Sequence, residues 1–224
     1  MSRRILTCLL ASAFATGCHP SNSTPPTPQI AKDAVQITKL ASVYTSHTFD
    51  RAAPPANMPP LGPNETAVCG ADFLARSNVR GQPHRSDASH ATLTITGVVM
   101  TLQLQINVWL PTEFNQTVAD HEEGHRQIAE YYYQTADKLA ERIASTYIGK
   151  RVEVSGPDLD AEFNNALLEV ATEITNEYTT EINSNPTQLL YDDITDHARN
   201  GVIVKDAVDH AIKNAAVEVA PAAK

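Results

Sequence analysis

The order of hydrophobic and polar positions divides the chain near Thr92. From there, Leu93 and Ile95, and then Leu102, Leu104, Ile106, Val108 and Leu110, alternate with Thr92, Thr94, Thr96, Gln103, Gln105, Asn107 and Trp109. A period of two predicts strands with one buried face. The second strand ends at Pro111. Past it, Phe114, Val118, His121, His125, Ile128, Tyr132, Leu139 and Ile143 recur at steps of three, four or seven, which predicts a helix from about 113 to 148. Thr112 as cap and Glu113 as first-turn acid signal its start. Both histidines lie on its inward stripe. The same period predicts helices from Leu159 to about Asn183 and from Pro186 to about Asn214, the latter broken near Asn200-Gly201.

Upstream, Val35, Ile37, Val43, Tyr44 and Thr45 read as one or two short strands within 35–49. Pro54-Pro55, Pro59-Pro60 and Pro63 exclude helix and central strand and mark a surface loop. Residues 66–86 show no clear period, with Gly70, Gly81 and Pro83 interrupting it. Strands first and helices after predict an α+β fold: a small antiparallel sheet from the N-terminal half, packed on a helical C-terminal half that carries the histidines.

Met1-Ser2-Arg3-Arg4, an apolar run from Ile5 to Ala15, and Ala15-Thr16-Gly17-Cys18 have the form of a bacterial secretion signal, too short to span a bilayer. Small residues just before Cys18 are similar to the lipobox of bacterial lipoproteins, which implies lipidation of Cys18; Ala15 stands where leucine is usual. His19 to Pro26 is polar and proline-rich, as a tether is. The expected organisation is a signal at 1–17, a lipidated Cys18 and tether over 18–33, one domain over 34–218, and a tail at 219–224. It places the domain in the bacterial cell envelope, lipid-anchored and facing the periplasm or exterior, or secreted if Cys18 is unmodified. Cys69 then has no cysteine partner and reads as a small buried hydrophobe. The formal charge is −9 over 224 residues; removing Arg3 and Arg4 leaves 15 basic against 26 acidic residues, or −11. Such a balance argues against nucleic acid as a partner.

The chemistry lies in His121-Glu122-Glu123-Gly124-His125. Four residues apart on a helix, two imidazoles project from one face and can hold one ion. Glu122 sits about 100° round the axis from His121, placed to reach a water at that ion rather than the ion itself, which is a general base's position. Zinc suits neutral imidazole, and three protein ligands leave a fourth position for a water whose pKa falls to about 7. Gly124 costs roughly 1 kcal/mol against alanine within a helix, which is easiest to rationalise if something packs closely there, such as a strand or an approaching substrate. Among Tyr131, Tyr132 and Tyr133, core packing is expected for Tyr132 and exposure for the other two.

A third ligand has to come from later in the chain. Tyr131 stands six residues beyond His125, so the metzincin pattern is absent. Glu177 would give a two-histidine, one-glutamate site. His197, in Tyr191-Asp192-Asp193-Ile194-Thr195-Asp196-His197, has carboxylates and a hydroxyl nearby to orient its ring.

Over roughly 90–200 the chain resembles the bacterial domain-of-unknown-function family of predicted secreted zinc-dependent proteases. The resemblance rests on Val108-Trp109-Leu110-Pro111, the His121 to His125 helix continuing through Ile128-Ala129, and the Tyr191 to His197 segment. It implies a zincin-like fold and raises His197 above Glu177 as third ligand. Ala198 stands where that family usually has glycine.

The expected function is a zinc-dependent envelope peptidase, with His121, His125 and His197 on the ion, Glu122 as base and a peptide or protein as substrate. The edge of Leu102 to Leu110 is a candidate for holding extended substrate. Two other readings use the same residues: a non-catalytic zinc-binding lipoprotein, and a zinc amidase acting on cell-wall material.

Overall fold

The computed structural model describes residues 33–62 and 65–218; the signal segment, Cys18, all but Asp33 of the tether, and residues 219–224 lie outside them. No helix among the described residues is long and apolar enough to cross a membrane.

One strand organises everything else. β4 (His90–Pro111) runs 22 residues without interruption, joining the two predicted strands into one, and turns Leu93, Ile95, Val98, Met100, Leu102, Leu104, Ile106, Val108 and Leu110 to the core. The opposite face carries Thr92, Thr96, Thr101, Gln103, Gln105 and Asn107, none fully buried. The helices cover the apolar face only, so alternation in the sequence reports one-sided burial.

The rest of the sheet is laid along the two edges of β4. β1 (Val35–Lys39) and β2 (Val43–Phe49) follow one another down one edge, both parallel to it. β5 (Arg151–Ser155) continues that edge antiparallel against His90 to Thr94. β3 (Val68–Arg85) occupies the whole opposite edge, antiparallel. The sheet is therefore mixed, not antiparallel as expected. A parallel pair needs a crossover of about a dozen residues, and the proline-rich segment after β2 supplies it, carrying the chain from one edge of β4 to the other. From there β3 and β4 form a plain hairpin.

β3 is the element that 66–86 conceals. Its inward positions, Cys69, Ala71, Phe73, Ala75, Ser77 and Val79, alternate with Gly70, Asp72, Leu74, Arg76, Asn78 and Arg80, but four of the six inward side chains are small. Pro83 is tolerated because β3 pairs with β4 alone among the described residues, and an edge strand can spare an N–H. The register slips between Arg80 and Gly81, a bulge where a Cβ on Gly81 would strike the Leu93 side chain. The free edge thus belongs to β3. Leu102 to Leu110 is central, paired on both sides, and offers no edge.

The predicted helix over 113–148 is two: α1 (Gln116–Gln134), capped by the Asn115 side chain accepting from the Val118 N–H at 3.0 Å, and α2 (Ala136–Tyr147). The helix starts four residues later than the expected 112, and Phe114 is exposed rather than on the stripe. α3 (Leu159–Glu181) packs on β3. The last predicted helix is α4 (Asn185–Thr195) and α5 (Val204–Glu218), broken as expected around Gly201. α4 and α5 form a small second core with α1 through Ile128, Tyr191, Ala207, Val208 and Ala211. That core fixes α4 against the histidine helix.

Candidate metal centre

Buried residues on α1 include His121, Glu122 and Gly124. Opposite them, α4 presents Gln188, Tyr191, Asp192 and Thr195, spaced as positions i, i+3, i+4 and i+7 on one helical face. All four touch α1. Asp192 Oδ1 lies 3.2 Å from His121 Nε2 and 3.0 Å from His125 Nε2, and the two imidazole nitrogens are 3.1 Å apart. The three atoms form a nearly equilateral triangle.

The remaining ring nitrogens are held so that the Nε2 lone pairs point into this triangle. Gln188 donates its Nε2–H to the His125 carbonyl at 3.2 Å, so its Oε1 accepts from His125 Nδ1–H at 2.6 Å. Thr195 donates its hydroxyl to the Tyr191 carbonyl at 2.7 Å and accepts from His121 Nδ1–H at 3.3 Å. Outer partners of this kind fix the tautomer of a ligating histidine.

Gly124 is explained by Tyr191. A Cβ there would overlap the Tyr191 hydroxyl and ring, with Cε1 only 3.0 Å away. The ring stacks on His121 with centroids 5.0 Å apart and meets His125 edge-on at 4.9 Å, while its hydroxyl donates to the His121 carbonyl at 3.2 Å. Tyr191 is fully buried. It is the spacer that sets the distance between α1 and α4.

Sequence reasoning missed Asp192 as the third donor. Glu177 is remote: its Oε2 accepts from the Tyr147 hydroxyl at 2.9 Å, and it belongs to neither group of ligand atoms close enough to share an ion. His197 stands beside the triangle, not in it. Its Nδ1 is 3.7 Å from Asp192 Oδ1, and it groups with Glu65 and Asp192 rather than with the two histidines. The cause is local. Asp192 lies within α4, whereas the helix ends at Thr195 and the chain then takes three successive left-handed residues, Asp196, His197 and Ala198, with φ of 47°, 50° and 69°. The signal for Asp192 is its neighbours, since Gln188, Tyr191 and Thr195 share its face.

Left-handed backbone costs a non-glycine residue about 1–2 kcal/mol. Ala198→Gly is accordingly expected to stabilise the chain by about 1 kcal/mol, raising Tm by about 2–4 °C in calorimetry. An unchanged or lower Tm would mean that the turn is relaxed.

The cleft at the triangle has a volume of about 340 Å³ and is walled by Ala67, Cys69, Ala71 and Phe73 of β3 and its approach on one side, and by Ile182, Ser184 and Leu189 on the other. Glu65, Glu122 and Asp192 line it, and no Lys or Arg does. Glu122 is 4 % exposed and its Oε2 has no hydrogen-bond partner. Burial pushes its carboxyl up to about 7, against an opposing pull from His125, with the charges of Asp192 and Glu65 adding to the rise. Burial likewise lowers His121, more than its bond to Asp192 raises it. At His125 burial is outweighed by the Asp192 hydrogen bond and charge, Glu122 and Gln188, so it is raised. Burial opposes ionisation of Asp192 too, but hydrogen bonds and charge from both histidines hold it well below the usual carboxylate range.

This donor set fits zinc. Bonds of about 2.0 Å to a tetrahedral ion put ligand atoms about 3.3 Å apart, close to the sides of the triangle. Three donors converge and Glu122 Oε2 is left buried and unpartnered beside them, as an open fourth position would require. Of the other expected residues, Cys69 is half-buried on the cleft wall with its thiol pushed up by burial, so it is not a reactive thiolate. Tyr131 is exposed as expected, but Tyr133 is buried and donates to the Leu40 and Leu102 carbonyls, and none of the three tyrosines lines the cleft.

No protein-family model, curated protein or solved structure matches the chain.

Proposed function

We propose that this chain is a zinc-dependent peptidase with a zincin-like active-site helix, acting in the bacterial envelope as a lipid-anchored protein. The observation that carries the reading is the convergence of His121 Nε2, His125 Nε2 and Asp192 Oδ1 at 3.0–3.2 Å from one another, beside an unpartnered Glu122. The resemblance of residues 90–200 to predicted secreted zinc-dependent proteases agrees with it, with Asp192 in place of His197 as third ligand.

His121, His125 and Asp192 would hold the ion. Zinc, when bound, acts as a Lewis acid on a carbonyl oxygen and lowers the pKa of a water to about 7. Glu122 takes a proton from the attacking water at Oε2 and passes it to the leaving amide nitrogen, a role its low exposure and raised pKa suit at neutral pH. Gln188 and Thr195 keep the imidazoles from rotating as charge changes near them. β3 lines the cleft with Cys69, Ala71 and Phe73, and its unpaired edge can take an extended peptide by strand addition, with Phe73 and Leu189 as apolar contacts.

Three converging protein donors support catalysis over a purely structural role, because structural zinc sites are closed by four. The amide of a cell-wall peptide meets the same chemistry, and the test separates the two substrates. The purified chain is expected to hydrolyse an unstructured peptide library, to lose activity on removal of metal by a chelator, and to regain it with stoichiometric zinc. Hydrolysis of cell-wall fragments alone would move the assignment to an amidase, and no zinc-dependent hydrolysis of either would refute it.

A further inference from the structure

Beside the three-donor centre lies a second group of ligand-type atoms that overlaps it only at Asp192. One carboxylate oxygen of Glu65, one of Asp192 and a ring nitrogen of His197 all lie within 4.8 Å of one another. His197 Nδ1 is buried and has no hydrogen-bond partner. At 3.7 Å from Asp192 Oδ1 it is too far to donate to it. Glu65 is fixed on its own side, since the Gly62 N–H donates to its Oε2 at 2.6 Å.

A ring nitrogen of His197 and two carboxylates thus converge, and no Lys or Arg lines the adjoining cleft that the two carboxylates share, so the group offers lone pairs with no resident cation. Imidazole and carboxylate together are donors for zinc, manganese or cobalt. The left-handed turn at Asp196 to Ala198 holds the ring there at a cost in backbone energy, and such strain persists where the surrounding structure imposes it. His197 does not serve the first centre, because its ring nitrogen falls outside the group formed by His121, His125 and Asp192. Asp192 belongs to both groups.

We propose that Glu65, Asp192 and His197 form a second divalent-cation site, sharing Asp192 with the first. It rests on the metal-centre reading above and would make this a two-metal centre, the second ion being available to the substrate or leaving group. Two-metal hydrolytic sites use the second ion in this way, as a clamp on the atoms the first does not reach.

Metal counting tests it. The purified full chain is stripped with a chelator, dialysed against zinc, and its bound metal measured by elemental analysis, beside His197→Ala, Glu65→Gln and His121→Ala, each checked for folding by circular dichroism. Two ions per chain are expected for wild type and one for each of His197→Ala and Glu65→Gln, with binding of that lost ion weakened by about 100-fold or more. A wild-type count of one that His121→Ala abolishes overturns the second site and leaves the first intact. A count of none overturns both. Two ions in His197→Ala or in Glu65→Gln overturns the second site, and none in His197→Ala does so by making His197 a ligand of the first. Glu65→Gln changes one atom on a surface segment, so its count stands even if the His197 variant misfolds.

Discussion

Glu122→Gln is expected to lower peptide hydrolysis by about 10²–10⁴-fold, the usual weight of a positioned general base, and to make the metal-free chain more stable at pH 8. Both follow from one observation. Glu122 is buried without a partner for Oε2, and its carboxyl titrates near 7 against an ordinary 4.5. Between those values the folded chain binds more protons than the unfolded one, so stability falls as pH rises from about 4.5 to about 7. Above pH 7 the penalty of holding the buried charge is fully present, at about 3 kcal/mol; below pH 4.5 it is absent. Glutamine carries no such charge. Urea unfolding of the chelated proteins should show Glu122→Gln gaining about 3 kcal/mol over wild type at pH 8 and close to nothing at pH 4.5. An equal difference at both pH values would show that the Glu122 carboxylate is solvated or paired, and its place as the waiting base would be lost.

Gly124→Ala should be the most disruptive single methyl group in the chain. On an exposed helix this exchange gains about 1 kcal/mol; here the new Cβ overlaps the Tyr191 ring and hydroxyl. Tyr191 is fully buried between α1 and the α5 residues of the smaller core, so it cannot swing aside without moving α4. Moving α4 carries Asp192, Gln188 and Thr195 away from the histidines together. Overpacking of this kind costs about 1–3 kcal/mol, and displacing the groups around a metal ligand costs about 10–100-fold in affinity. Denaturant unfolding and zinc titration should both register the change. A Gly124→Ala chain with unchanged stability and zinc affinity would mean that Tyr191 does not pack against the histidine helix.

What could be read from the sequence was what a single element carries within itself. The alternation of Leu102 to Leu110 and the helical stripe through Val118, His121, His125 and Ile128 each report one local period against one buried face, and both elements are where the pattern put them. β3 was illegible because four of its six inward residues, Cys69, Ala71, Ala75 and Ser77, are too small to stand out from an outward side that includes Leu74, and because an edge strand admits Gly81 and Pro83. Strand direction was not local information: β1 and β2 run parallel to β4 only because the proline-rich segment crosses to its far edge. The candidate metal centre divides along the same line. His121, Glu122 and His125 are set by spacing within one helix, whereas the third donor depends on how α4 docks. His197 is the conspicuous residue of its motif, whereas Asp192, five residues earlier, is marked only by the helical face it shares with Gln188, Tyr191 and Thr195. Gly124 announced a close neighbour, but it is neither the strand nor the substrate expected: it is Tyr191 of α4, 67 positions away in the chain.

The zinc dissociation constant of Asp192→Ala, compared with wild type and with Glu177→Ala, tests the three-donor centre most directly. Removing one of three donors at 3.0–3.2 Å should weaken the tighter zinc by about 100-fold or more, while Glu177, bound to Tyr147 outside the cleft, should leave it unchanged. A folded Asp192→Ala chain that holds zinc as tightly as wild type would contradict the assignment.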